Sequence, residues 1–342
     1  MIMSSKKLLT GALLAAILTA FIPIKVLASD YPDDIVSTDH QTYSYAEMME
    51  DISMLCGKYP GILSRGSVGL SSYSRDIPVI IIGNPDASKK VMIQATIHAR
   101  EYMCTQFVMG TVEYICKNYY SANVNGTGYS ELFSNVCFHV VPMVNPDGVE
   151  IAQRGCDGAK NEDTKNWIRS QEAAGFTQAK IKSNANGVDL NRNFPTGFGM
   201  GKKKSATPCF EYYCGETPLN QSESSALASY SSKGFYAFIN YHSSGNIIYY
   251  GTPINSAENA SRSQALASVL HGYNAYRLIY DDESGTGYGS FGDYVQAAFD
   301  RPSATVEIGT ANPVPISQYG GIFKSNRDSW GGVAYAIYTC QF

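Results

Sequence analysis

The sequence predicts a single α/β domain in which helices flank a central mixed β-sheet. Three observations predict it. The middle of the chain alternates β-rich and helix-forming segments. No internal repeat and no Pro/Ser-rich linker divides the 342 residues. The composition, 44% hydrophobic and 16% charged, is that of a packed globular chain, not a disordered or coiled-coil one.

The elements follow in chain order. Lys6 and Lys7 precede an apolar run from Leu8 to Ile24, and Val26-Leu27-Ala28 sets suitable residues at −3 and −1. Residues 1–28 therefore read as a signal peptide and residues 29–342 as the folded domain. The rival is an uncleaved membrane anchor, since the 17-residue run approaches the spanning limit. Ser44-Tyr45-Ala46-Glu47 is a capping box and opens a helix to about Lys58. Ile77–Ile82 and Val91–Ile97 read as strands, joined by a turn around Asn84-Pro85-Asp86. A helix is expected over Tyr102–Tyr119 and a strand over Val136–Val144. Long loops are expected between residues 148 and 216. Thr217-Pro218 looks like N-cap and N1 of a helix ending near Lys233-Gly234. Phe235–Tyr241 and Ala304–Ile308 read as short apolar strands. Helices are expected over Ala257–Asn274, Phe291–Phe299 and Asp328–Ile337.

Charge narrows the partners. Lys+Arg is 26 and Asp+Glu is 30, so there is no basic excess to suggest nucleic acid. Cleavage after Ala28 would remove three Lys and no acid, taking the net charge from −4 to −7. Lys202-Lys203-Lys204 reads as a solvated loop, and His139 as a packed core residue. The eight Cys could form disulfides in an exported protein, Cys209 with Cys214 being the nearest candidates in sequence. No C-x-x-C pair is present, which speaks against a thiolate zinc site.

Reactive groups in sheets of this kind gather beyond the carboxyl ends of strands. There the sequence offers His98-Ala99-Arg100-Glu101. A His and a Glu three residues apart can meet one cation, and imidazole with carboxylate suits Zn²⁺. His242, ending a strand, is the best third ligand. Asn191 and Arg192 stand side by side in a polar loop and can clamp a carboxylate. Asp189 can orient a metal-binding His from behind. Glu307 closes an apolar strand, where a carboxylate is costly unless it has work to do. Beside a metal it would be the general base acting on water. Tyr280 precedes the Gly-rich stretch Ser284–Gly292, a candidate lid.

These motifs together resemble the zinc carboxypeptidases of the carboxypeptidase A type. HARE at 98–101, VPMVNPDGVE at 141–150, GVDLNRNFPTGFG at 187–199, NYHSSG at 240–245 and TVEIG at 305–309 carry the resemblance. It runs from about Tyr43 to Tyr338. It implies one zinc per chain, held by His98, Glu101 and His242, with Glu307 promoting water attack. It implies that Asn191 and Arg192 bind the substrate's terminal carboxylate, that Arg100 guides it inward and that Tyr280 closes over it. It gives Asp189 the support of a zinc-bound His. The family's oxyanion arginine has two candidate replacements here, Lys182 and Arg169; Lys182 is favoured, and it would act as a point charge without the arginine's fork. The resemblance begins about 15 residues after Ala28, which leaves no room for the folded prosegment of the digestive members.

Two substrates fit. The signal peptide and the stretch Pro313–Gln318 resemble a bacterial branch that cuts γ-D-glutamyl–diaminopimelate bonds in cell-wall stem peptides. Asp281, Asp282 or Glu283 would then meet the second amino group. The alternative is an exported carboxypeptidase taking apolar or aromatic residues from ordinary peptides, with Tyr288 and Phe291 lining its pocket. Either enzyme would be secreted or cell-wall associated, with no stable membrane partner once the signal is removed. The full set of ligands plus Glu307 speaks against a catalytically inactive binding module.

Overall fold

The computed structural model describes residues 35–251, 254–280 and 288–342. The expected signal peptide and Asp281, Asp282 and Glu283 lie outside the described residues. The strands are β1 (Leu63–Leu70), β2 (Asp76–Ile82), β3 (Lys89–Ala95), the two-residue β4 (Asn123–Val124) and β5 (Thr127–Gly128), β6 (Val136–Val141), β7 (Ala237–His242), β8 (Ile247–Gly251), β9 (Arg277–Tyr280) and β10 (Ser303–Glu307). The helices are α1 (Tyr45–Lys58), α2 (Met103–Asn118), α3 (Tyr129–Asn135), α4 (Pro146–Arg154), α5 (Glu162–Ala173), α6 (Ser222–Ser231), α7 (Ala257–Asn274), α8 (Phe291–Phe299), α9 (Tyr319–Asn326) and α10 (Ser329–Tyr338).

Eight strands form one mixed sheet in the order β1-β2-β6-β3-β7-β10-β8-β9. Its centre is parallel: β6, β3, β7 and β10 run the same way. β2 and β8 run against them. Period-two alternation assigns the two faces. Val91, Ile93, Ala95, Ala237, Ile239, Tyr241, Ala304 and Val306 enter the larger core, which also takes in buried residues of α1, α2, α7 and α10. The alternate residues Met92 and Phe238 enter a second core with Phe291 and Val295 of α8. Asn240, His242, Ser303, Thr305 and Glu307 share the parity of that second face. Alternation alone thus sends the polar ends of β7 and β10 to one side.

α1 begins at its capping box, with the Ser44 hydroxyl accepting from Glu47 N and the Glu47 carboxylate accepting from Ser44 N. α7 and α8 occupy the expected ranges. Three expectations need correction. The region 148–216 is not all loop. α4 runs from Pro146 with Asn145 as its cap, and α5 is capped by Asn161 accepting from Thr164 N at 2.8 Å. The helix expected from Thr217-Pro218 begins only at Ser222. Its supposed first turn is diverted: Leu219 takes a left-handed φ of 57°, and the Thr217 carbonyl and Asn220 side chain bind the Asn193 amide instead. The strand expected to reach Ile97 stops at Ala95. Thr96 has φ +54°, an unfavourable value for a β-branched residue, and its buried hydroxyl bonds the Glu101 carbonyl and Thr105.

All eight cysteines are free thiols, so Cys209 and Cys214 are not bonded to one another. His139 is a core residue, its Nδ1 2.7 Å from the Tyr230 hydroxyl. No described helix is long and apolar enough to cross a membrane.

Candidate active site

Three neighbouring parallel strands deliver the site. The chain leaving β3 carries His98 and Glu101, β7 ends in His242, and β10 ends in Glu307. The break at Thr96 turns the chain so that His98 and Glu101 fall back over the sheet. Backbone bonds from Ala99 N to Lys182 O (3.1 Å) and Arg100 N to Ile181 O (2.9 Å) fix this turn against the segment bearing Lys182.

His98, Glu101 and His242 are 5%, 2% and 3% exposed. Their ligand atoms lie within 4.8 Å of one another. His98 Nδ1 is 2.9 Å from one Glu101 oxygen, His242 Nδ1 is 3.0 Å from the other, and the two Nδ1 atoms are 3.2 Å apart. Tetrahedral zinc with bonds near 2.0–2.1 Å separates its ligands by roughly 3.3 Å, so this donor set fits zinc. His98 Nε2 donates to Asp189 Oδ1 at 3.2 Å, which leaves the Nδ1 lone pair for a metal. Burial works against the Glu101 charge, but the His98 and His242 rings outweigh it and hold its carboxyl well below the usual range. Asp189, fully buried, is held low in the same way by His98, with Arg192 and Lys182 adding to it.

Glu307 keeps an edge toward an open cavity of about 160 Å³. Desolvation pushes its carboxyl up to about 7, with His242 pulling the other way and the Glu101 charge adding to the rise. Lys182, Asn191, Arg192, His98 and His242 line the same cavity. Asn191 and Arg192 sit on a single 3₁₀ turn, Leu190–Arg192, capped by Asp189, whose Oδ1 accepts from Asn191 N at 3.2 Å. The Asn191 oxygen accepts from Phe291 N at 2.9 Å, which orients its NH₂ as the end left for a ligand. Such a cavity can hold a cation, a carboxylate and a base around one bond.

A zinc carboxypeptidase family model matches residues 48–307. The chain belongs to that family. It is 32% identical over 295 residues to gamma-D-glutamyl-L-diamino acid endopeptidase 1 of Lysinibacillus sphaericus, covering 83% of this chain and 70% of that protein. It is 25% identical to mouse carboxypeptidase B2, over 66% of this chain and 50% of that one. Among solved structures, that of thrombin activatable fibrinolysis inhibitor matches with a TM-score of 0.70 at 19% identity, over 91% of this chain and 78% of that one. This last likeness is one of fold.

Within the zinc carboxypeptidase fold, not every expected residue reaches the cavity. Arg169 is exposed on α5, bonded to Asn166 and facing Glu162, whereas Lys182 is a wall residue. Arg100 bonds the Lys180 carbonyl at 2.9 Å, faces Glu211 at 3.8 Å and is not a wall residue. Tyr280 ends the edge strand β9, its ring 5.8 Å from that of Tyr250 and packed over Gly251, which does line the cavity. Phe291 is 1% exposed in the second core and is not part of this cavity's wall, and Tyr288 lines a neighbouring cavity instead.

Three features escape the sequence reading. Asp293, in the first turn of α8, lines the cavity with Gln296, Ser303 and Thr305. Locally it is indistinguishable from an ordinary acid in a helix first turn, because Ser290 Oγ caps its N–H. Asn145 proves to be a tie: its Nδ2 donates to the carbonyls of Ile97 and Ser183, each at 3.2 Å, and its Oδ1 accepts from Gly148 N. Its place in the family motif was the signal. Lys203 and Lys204 are exposed, as expected of a solvated loop, and they also line the neighbouring cavity, which the sequence did not show.

Proposed function

We propose that this chain is an exported zinc peptidase that cuts γ-D-glutamyl–diamino acid bonds of cell-wall stem peptides. The observation that carries this reading is the wall of the cavity beyond Glu307. Among the described residues it is built from Ser290, Asp293, Gln296, Ser303 and Thr305, with Tyr249 the single aromatic. A large apolar residue would desolvate these groups without replacing their partners. A diamino acid brings an ammonium for Asp293. The similarity to a gamma-D-glutamyl-L-diamino acid endopeptidase supports the same class. The signal-like residues 1–28 support export.

In this reading His98, Glu101 and His242 hold the zinc. When bound, zinc supplies the Lewis acid that polarises the scissile carbonyl and acidifies water. Glu307, with a carboxyl near neutrality, takes the proton from the attacking water and returns it to the leaving amine. Lys182 faces the charge that develops on the carbonyl oxygen. Asn191 and Arg192 hold the free carboxylate of the leaving residue, and Arg192 can do so with two bonds. Asp189 keeps His98 in one tautomer. Tyr280, at the rim over Gly251, closes on the substrate from that side, and Arg100 contributes positive potential from behind the wall.

The test offers the zinc-loaded protein L-Ala-γ-D-Glu-diaminopimelate, an α-linked peptide ending in lysine and one ending in phenylalanine. Products are read by mass spectrometry. Release of diaminopimelate at a kcat/KM well above both others supports the reading. Preferential release of phenylalanine overturns it in favour of the apolar pocket, and preferential release of lysine in favour of a digestive role.

A further inference from the structure

We propose that a second carboxylate-binding subsite, built from Lys203, Lys204, Arg192 and Tyr212, adjoins the catalytic cavity; it rests on the γ-glutamyl reading above. A separate cavity of about 80 Å³ is lined by these four residues with Ser205 and Tyr288 among others. Arg192 lines both cavities, so the two meet at the carboxylate clamp. Among the described residues, three cations and no carboxylate line this second space.

Lys203 and Lys204 are exposed, and the platform beneath them is held in place. Tyr212 N donates to Asp189 Oδ2 at 3.3 Å, and Tyr212 holds a left-handed φ of 67°. On its ring stand Lys182 Nζ at 5.3 Å and Lys203 Nζ at 5.6 Å from the centroid. A ring within cation–π reach of two ammonium groups holds them near it while leaving their protons for a ligand. The loop before Lys203 is packed hard on Tyr288: a Cβ at Gly197 would stand 2.6 Å from the Tyr288 ring. Arg192 Nε is buried with no acceptor, a cost that an incoming anion would remove.

The substrate class has a carboxylate to spare. A γ-glutamyl bond uses the side-chain carboxyl, so the α-carboxylate stays free, roughly 5 Å from the scissile carbonyl carbon along four extended bonds. Diaminopimelate carries a second carboxylate on its far end. Either group is an anion beyond the one held by Asn191 and Arg192. Ordinary α-linked peptides with neutral side chains have neither.

Three tripeptides separate the sources: L-Ala-γ-D-Glu-diaminopimelate, its analogue with the glutamyl α-carboxylate amidated, and its analogue with lysine in place of diaminopimelate. KM and kcat are measured for the zinc-loaded full chain and for the Lys203→Ala/Lys204→Ala variant. The expected result is a KM roughly tenfold to a hundredfold higher for the wild type on one analogue, with kcat little changed. The variant then shows the same rise on the parent tripeptide and none on that analogue. A variant that loses equally on all three, or on none, overturns the subsite while leaving the γ-glutamyl reading intact. Failure of the wild type to cut any of the three overturns the reading and the subsite together.

Discussion

Glu307 stands opposite His242 in register across the parallel pair β7–β10, and both line the same cavity. A metal ligand and the proposed base are therefore set by the hydrogen-bond ladder of the sheet and not by a loop. Replacing the carboxylate need not disturb the metal site. Glu307→Gln is expected to lower kcat by about 10²- to 10⁴-fold while the zinc content per chain stays at the wild-type value. Turnover assays paired with elemental analysis check both halves.

Three ligand atoms gathered at one buried point in the folded chain are dispersed in the unfolded one, so a cation bound there favours folding. Chelation is expected to abolish activity and lower the melting temperature by several degrees, and zinc is expected to restore both. Zinc at a hundredfold excess over its dissociation constant contributes about 2.7 kcal/mol to the folded state. Calorimetry of the chelated and reloaded protein measures it.

Asp293 is the charged end of an otherwise neutral polar wall. Asp293→Asn keeps the shape and removes the charge. It is expected to cost at least about tenfold in kcat/KM on substrates that leave a diamino acid, with little effect on a neutral leaving residue. Competition between the two kinds of peptide in one tube gives the ratio directly.

Asn145 touches no substrate, yet it bonds the carbonyls that flank both His98 and Lys182. Asn145→Ala strands those buried carbonyls and is expected to cost about 1–3 kcal/mol of stability. Denaturant unfolding measures this loss. Zinc retention should weaken in the same variant.

His139 contributes a pH dependence of definite sign, opposed over the same range by the raised carboxyls of Glu307 and Asp51. Burial, helped by the charges of Lys90 and Lys233, pushes the ring down to about 4 from its ordinary 6.5. Between those values the unfolded chain binds a proton at this residue that the folded chain refuses, so its own contribution to stability rises with pH. The contribution is complete above pH 6.5 and is lost as pH falls toward 4. His139→Gln is expected to be less stable at neutral pH, and its melting temperature is expected to gain less than the wild type's as pH rises from 4 to 6.5. Thermal melts across that range compare the two.

The sheet's centre was legible because β3, β7 and β10 are apolar runs, and the chemistry at their ends because His98, Glu101, His242 and Glu307 are residues a core strand does not otherwise keep. The edge strands β1 and β9 were not legible, being short on apolar alternation. The start of α6 was misjudged because a good local signal at Thr217-Pro218 lost to the long-range ties of Asn193. Between Lys182 and Arg169 the sequence offers no deciding feature, since only packing brings one to the cavity and leaves the other in solvent. Asp293 and Lys203 each had an ordinary local explanation, and only the three-dimensional wall makes them neighbours of the site.

Asp189 ends two chains of contact at once. One oxygen meets both the His98 ring and the turn bearing Asn191 and Arg192, and the other meets Tyr212. A single carboxylate thus sets the separation between the cation's seat and the clamp for a substrate's end. In the proposed reading it works as a ruler of fixed length, setting how far the cleaved bond lies from the substrate's bound end.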